Sequence, residues 1–422
     1  MRRHRKPLSN VGSGRPSTNM ASRDKRIFEA SRIALILADR LVDLALDQLP
    51  VDDASEQPAL SRGLLGSAGI AMFLSGVLQS HDIKRYRDAL SFYMKASAHA
   101  GSPGLGLFAG LGGLVAACAY ALPVEPRYAG LLERSVTAMS MVRAREPRWR
   151  PAERYFSYDL ITGRAGEVLA VMSIAEPQHV RSICDYLVWL LDDPTRWCCP
   201  HPLRVSEGPV HDLGMAHGLS GIVVALTITA PFEASYNEAI VRGVDMLLEH
   251  SPHGGSFEWP AGIGTAGALP SRSAWCYGTP GCAVALIQAA RRLGYQRARD
   301  IAFEALTALV SSDVDKWHLS GSSLCHGYMG NAILLASVAQ KENWTDIQAS
   351  ADQLIGRVID DFDEASVLGY RTFDGSMLVD APGLLNGTAG IGLALLTSAG
   401  LCDSSWMRYF GLEPLSQSLW DD

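Results

Sequence analysis

The sequence predicts an all-α fold: an α/α toroid, a double ring in which seven inner helices sit inside seven outer ones. Three observations carry this. A Gly-x-x-Gly followed by a small apolar run recurs seven times. A charged, amphipathic stretch precedes each copy. The repeats run to both ends of the sequence with no polar capping repeat, as a closed ring requires and an open solenoid does not.

The elements follow in order. Residues 1–24 hold Arg, Lys, Ser, Gly, Pro and Asn with no acid before Asp24, and read as a disordered basic tail. Residues 25–412 carry the repeats. Their glycine pairs are Gly66/Gly69, Gly110/Gly113, Gly163/Gly166, Gly218/Gly221, Gly278/Gly281, Gly327/Gly330 and Gly387/Gly390, with first glycines 44, 53, 55, 60, 49 and 60 residues apart. Each is followed by a run rich in Ala, Leu and Val, apolar nearly all round. A helix of that kind is buried on both sides. The preceding stretches are expected as outer helices near 28–48, 84–98, 129–144 and 178–193, then Tyr236–His250, Arg297–Val310 and Thr345–Phe362. In the last, Ile347, Leu354, Ile355 and Val358 fall near helical spacing, while Asp346, Asp352 and Arg357 point elsewhere. Residues 413–422 are left as a C-terminal tail. Because every inner helix starts at its glycine turn, all seven N-termini are expected at one rim, and a site is expected there. The short spacing of repeats two and three leaves no room for an inserted domain.

Composition narrows the function. With 48% hydrophobic and 19% charged residues the chain can bury a large core. A net charge of −7 argues against a general nucleic-acid binder, which needs a basic face. No apolar run approaches the ~18 residues of a membrane span, and no secretory signal follows the basic start. Eight scattered cysteines fit a reducing cytoplasm, so the expected location is cytoplasmic.

Three repeats are decorated at the turn. Repeat five reads Trp275, Cys276, Tyr277, Gly278; repeat six reads Leu324, Cys325, His326, Gly327; repeat four reads Ala216, His217, Gly218. Equivalent slots bring them to one rim. Two cysteines and a histidine suit one Zn²⁺ with an open fourth position, the pattern of a catalytic site. The bland reading is two small buried cysteines and a turn histidine. Thiolate ligands put negative charge on a zinc complex, which favours activation of a bound thiol over water. Carbon–sulfur bond formation also needs a proton donor or acceptor, and His217 is the candidate. Trp197, Cys198, Cys199, Pro200 and His201 form a second Cys/His cluster that reads as a loop, since adjacent cysteines are poorly placed to share one metal. His211 and Asp212 also read as loop. Phe257 and Trp259 suit either a peptide groove or the core.

With these motifs the chain resembles the lanthionine synthetase C-like proteins over about residues 28–400. The carriers are Trp-Cys-Tyr-Gly-x-Pro-Gly at 275–281, Cys-His-Gly at 325–327, Ala-His-Gly at 216–218, and Tyr158-Asp159 before Gly163. The resemblance implies an α/α toroid with one zinc per chain on Cys276, Cys325 and His326. It implies a cyclase: a cysteine of a dehydrated precursor peptide adds to dehydroalanine or dehydrobutyrine, giving lanthionine or methyllanthionine. It assigns His217 as acid/base, and Asp159, Arg272 and Tyr277 as further active-site residues that respectively tune His217, stabilise enolate charge, and position or donate. The implied partners are a precursor peptide with its leader and a separate dehydratase, because no kinase-like or lyase-like portion is present. Two alternatives stay open: addition of glutathione to dehydroamino acids, and a non-catalytic zinc-containing peptide scaffold. A glycan hydrolase needs two facing carboxylates, and only Asp159 sits on a motif turn.

Overall fold

The structure, a computed structural model, describes residues 18–47, 63–100, 104–146, 149–200, 208–231, 233–374, 377–416 and 418–420. Outer helices are α1 (Thr18–Asp47), α3 (Lys84–His99), α5 (Ala129–Arg143), α7 (Pro177–Leu191), α9 (Ala234–Glu249), α11 (Gln296–Val310) and α13 (Thr345–Asp360). Inner helices are α2 (Ser67–Ser80), α4 (Leu111–Ala121), α6 (Arg164–Val171), α8 (Leu219–Thr229), α10 (Thr279–Leu293), α12 (Tyr328–Glu342) and α14 (Thr388–Ser398). The two sets differ as their sequences require. Every residue of α14 is buried, whereas α13 buries Ile347, Ala351, Leu354, Ile355 and Val358 and turns its charges outward.

The ring closes. Each inner helix packs on the next, and α14 returns to α2. The outer helices pack from α7 through α13 to α1 and α3, while α5 rests mainly on α4.

A second closure runs along the rim. A residue one to three places before each motif's first glycine joins the neighbouring turn by a backbone hydrogen bond. Leu65 N donates to Phe108 O (2.8 Å), Phe108 N to Ile161 O (2.9 Å), and Leu160 N to Ala216 O (3.1 Å). Ala216 N donates to Cys276 O (3.2 Å), Cys276 N to Cys325 O (3.2 Å), and Cys325 N to Leu385 O (3.0 Å). Leu384 N completes the annulus on Leu64 O (3.1 Å). Amides that a turn would otherwise bury unpaired are thereby satisfied.

The glycines make this possible. The second glycine of each pair packs against a carbonyl oxygen of its own turn: Gly281 against Trp275 and Gly330 against Leu324, with no space for a Cβ. Gly278 alone among the first glycines has a positive φ, +86°, a conformation that side-chain-bearing residues rarely adopt.

The middle of the ring is filled. Phe108 and Trp275, three repeats apart, lie 6.3 Å centroid to centroid, and Phe410 lies 5.3 and 5.2 Å from them. Phe410 ends the 3₁₀ segment Ser405–Phe410, and its carbonyl accepts from Trp275 Nε1 at 2.8 Å. This plug floors the turn that carries Cys276.

Three features depart from the sequence expectation. Helix α1 begins at Thr18, inside the stretch assigned to the tail: after Pro16 nothing before Asp47 breaks a helix. Residues 1–17 lie outside the described residues. The C-terminal tail is packed: Leu419 N donates to Ser398 O (3.1 Å), and Leu419 and Trp420 are buried. Short strands edge the rim, in loops that lead into inner helices. One sheet runs β1 (Cys199–Pro200), β2 (Pro209–Asp212), β3 (Gly262–Gly264), β4 (Gly267–Leu269); a hairpin pairs β5 (Arg371–Asp374) with β6 (Met377–Asp380). At two to four residues each they are too short for alternation to register in sequence. No inserted domain lies between α4 and α6 among the described residues.

Candidate functional site

The annulus sets the site. Cys276 and Cys325 occupy its equivalent positions in repeats five and six, so their backbones are bonded to each other. His326 is one residue on, at the slot His217 holds in repeat four. The ligand atoms of Cys276, Cys325 and His326 all lie within 4.8 Å of one another, forming the one such metal-capable cluster among the described residues. Zn–S bonds of ~2.3 Å at tetrahedral angles put two sulfurs about 3.8 Å apart, so the cluster is of the right size. Cys276 is buried; Cys325 and His326 are partly exposed. The Cys325 hydrogen bond, against the opposing effect of burial and with help from His326 and Arg272, holds the Cys276 thiol well below its ordinary range. The same bond, with burial, pushes Cys325 up. Two cysteine sulfurs and an imidazole are a donor set for a soft-to-borderline cation, and these residues fit Zn²⁺.

Beside this centre His217 Nδ1 lies 2.6 Å from Asp159 Oδ2. The carboxylate is fully buried, and its Oδ1 accepts from Thr162 N (2.8 Å), Thr162 Oγ1 (3.1 Å) and Gly163 N (2.7 Å). One oxygen is thus tied to the turn and the other to the imidazole. Burial pulls the His217 pKa down, but Asp159, with Asp212 and Cys276, outweighs it and the pKa ends above 6.5. Tyr155 packs edge-on against the imidazole at 4.6 Å.

Tyr277 is held by a residue the sequence reading left in a loop. Its hydroxyl donates to Asp212 Oδ2 at 2.9 Å, and Asp212 Oδ1 accepts from Gly214 N at 2.8 Å. Asp212 is fully buried at the end of β2, opposite Gly262. Burial raises its pKa to about 6, against the lowering effects of His217, Gly214 and Tyr277. Burial and the Asp212 charge push Tyr277 well up, so its hydroxyl keeps its proton. Asp159–His217 and Asp212–Tyr277 are therefore parallel pairs, with the two rings 6.2 Å apart. Arg272 is half-buried, and its charge lowers both thiols.

The remaining candidates fall outside the centre. Cys199 is buried in β1, its Sγ directed to Ala152 O at 3.3 Å, and burial lifts its pKa to about 12. Cys198 is raised likewise; His201 lies outside the described residues. His211 packs against buried Trp197 at 4.8 Å. Trp259 is core, and Phe257 is partly buried beside it, its carbonyl accepting from Thr279 Oγ1.

The family model for "Lanthionine synthetase C-like protein" matches residues 62–410. The chain belongs to the lanthionine synthetase C-like family. Its fold matches that of a nisin cyclase with a TM-score of 0.70 at 17% identity, covering 89% of this chain and 96% of that one; both are α/α toroids. A cellobiose 2-epimerase from Bacillus thermoamylovorans B4167 gives a TM-score of 0.42 at 7% identity, covering 79% of this chain and 87% of that one. No curated protein matches the sequence. No described helix is long and apolar enough to cross a membrane.

Proposed function

We propose that this family member is a zinc-dependent cyclase that forms lanthionine or methyllanthionine in a dehydrated precursor peptide. The reading rests on one observation: Cys276, Cys325 and His326 converge within 4.8 Å beside the Asp159–His217 pair. Bound zinc supplies a position at which a peptide thiol gives up its proton. The chain's own residues serve the rest. The thiolate sulfur bonds to the β-carbon of the dehydroamino acid, the C=C electrons move toward the carbonyl, and no group leaves. His217 Nε2, left free because Asp159 holds Nδ1, gives its proton to the α-carbon and is restored by the proton released from the thiol, so the addition leaves the protein's proton count unchanged. Arg272 offsets the developing negative charge. Tyr277, whose proton is engaged by Asp212, presents oxygen lone pairs and orients the peptide by accepting a hydrogen bond. The partners that go with this reading are a leader-bearing peptide and a separate dehydratase, in the cytoplasm.

The test is metal analysis of the wild type and of Cys276→Ala, joined to a thiol-loss assay on a dehydrated, cysteine-containing peptide. One zinc per chain, lost in the variant together with thiol consumption, is the expected result. Zinc without peptide thiol consumption, but with consumption of glutathione, transfers the activity to glutathione addition. Zinc with neither leaves a scaffold, and no zinc at all removes the centre.

A further inference from the structure

The residue after the second glycine of each motif is buried in every repeat. Four copies are branched aliphatics: Ile70, Leu114, Ile222 and Ile391. Cys282 is small, and Glu167 is paired with Arg143. Repeat six carries Asn331, fully buried in the first turn of α12. Its Nδ2 donates to the Ser273 carbonyl at 2.8 Å, and its Oδ1 meets no partner among the described residues. A buried amide satisfied on one side only costs stability that an aliphatic side chain in the same slot does not. Among the described residues its one side-chain hydrogen bond is the contact to Ser273.

Ser273 stands between Arg272 and the turn that carries Cys276. Repeat six grips both of its main-chain polar atoms. Ser273 N donates to Trp317 O at 2.8 Å, and Ser273 O accepts from Asn331. The Arg272 guanidinium makes no hydrogen bond or ion pair within the described residues, so its place is set by the backbone beneath it. That place is beside the centre, since its charge is felt at both cysteine sulfurs. The amide of α12 therefore ties the loop that presents Arg272 to the helix that follows Cys325 and His326.

We propose that Asn331 is a positioning residue for the reaction: through the Ser273 carbonyl it holds the backbone from which Arg272 reaches the centre. The proposal rests on the cyclase reading above. The test uses the zinc-loaded full chain and Asn331→Val, which fills the slot with the kind of side chain that other repeats carry. On a dehydrated, cysteine-containing peptide kcat is expected to fall about tenfold with KM within about twofold, because Arg272 acts on charge that develops in the transition state. In an Arg272→Ala background the same substitution is expected to change kcat little, since the side chain it places is already gone. Hydrogen exchange read by mass spectrometry follows the position without turnover. Residues 271–275 are expected to exchange faster in Asn331→Val, with the inner helices, helical circular dichroism and zinc content unchanged. An unchanged kcat, a tenfold loss that persists in the Arg272→Ala background, or exchange that quickens throughout the chain overturns the proposal. Asn331→Ala carries the same comparisons where the valine variant does not fold. In a chain that consumes no peptide thiol, quickening confined to 271–275 leaves the Asn331 brace standing and removes the cyclase reading alone. An unchanged segment removes the brace whatever the activity.

Discussion

His217 Nδ1 and the Asp159 carboxylate lie 2.6 Å apart, and this contact fixes both the tautomer and the pKa of the imidazole. With Nδ1 engaged, Nε2 is the nitrogen left to meet substrate in the proposed reaction. Asp159→Asn removes the charge that outweighs burial, so the His217 pKa falls. If the protonated imidazole is the working acid, the alkaline limb of the pH–rate profile moves to lower pH. We expect kcat to drop by about a hundredfold with zinc content unchanged. A limb that stays in place under this substitution removes His217 from the proton transfer.

Asp212 carries a different pH signature. Its folded pKa is about 6 against an ordinary 3.8, so the folded state holds a proton that the unfolded state releases. Stability from this group is present below pH ~4 and is lost as pH rises to ~6. Urea unfolding should therefore find Asp212→Asn gaining on the wild type across that window and level above it. In activity, Asp212→Asn and Tyr277→Phe are expected to be non-additive, because both act on one hydroxyl. Additive losses would separate the two residues.

The glycines divide by what surrounds them. Gly330→Ala drives a Cβ into the Leu324 carbonyl, and we expect a loss of about 3 kcal/mol or more, measured by denaturant unfolding. Gly356 lies inside α13 with nothing within 4 Å of an added Cβ. Gly356→Ala is expected to stabilise by roughly 0.5–1 kcal/mol. Equal effects at the two positions would contradict the packing described for the turns.

Removal of metal should leave the ring folded. The toroid is closed by its inner helices, by the rim hydrogen bonds and by the Phe108–Trp275–Phe410 plug, none of which involves a metal ligand side chain. Chelator treatment is expected to abolish thiol consumption and lower Tm by a few degrees, with helical circular dichroism retained. A chelated protein that unfolds, as small zinc domains do, would make the centre structural.

The helices and the Cys276, Cys325, His326 trio were legible in the sequence because each is written locally. Glycine spacing marks every inner helix, and the two cysteines share a slot with their counterparts in the other repeats. Asp212 was not legible, since nothing near it shows that Tyr277, 65 residues later, will donate to it. Tyr155 beside His217 was missed for the same reason, as a pairing between neighbouring repeats, and the packed end at Leu419 and Trp420 was missed because it lies beyond the last glycine repeat. The rim strands escaped because two to four residues hold too little pattern.

The rim annulus has one more consequence. Cys276 and Cys325 are 49 residues apart, a separation at which a flexible chain resists gathering donors around an ion. Here backbone bonds run unbroken around the opening, so the two sulfurs are set at their spacing before any cation arrives. The protein thus resembles a macrocyclic chelator more than an open-chain one. Little ordering remains for the binding event to accomplish, and an ion leaving the centre meets the same donors still in position to take it back.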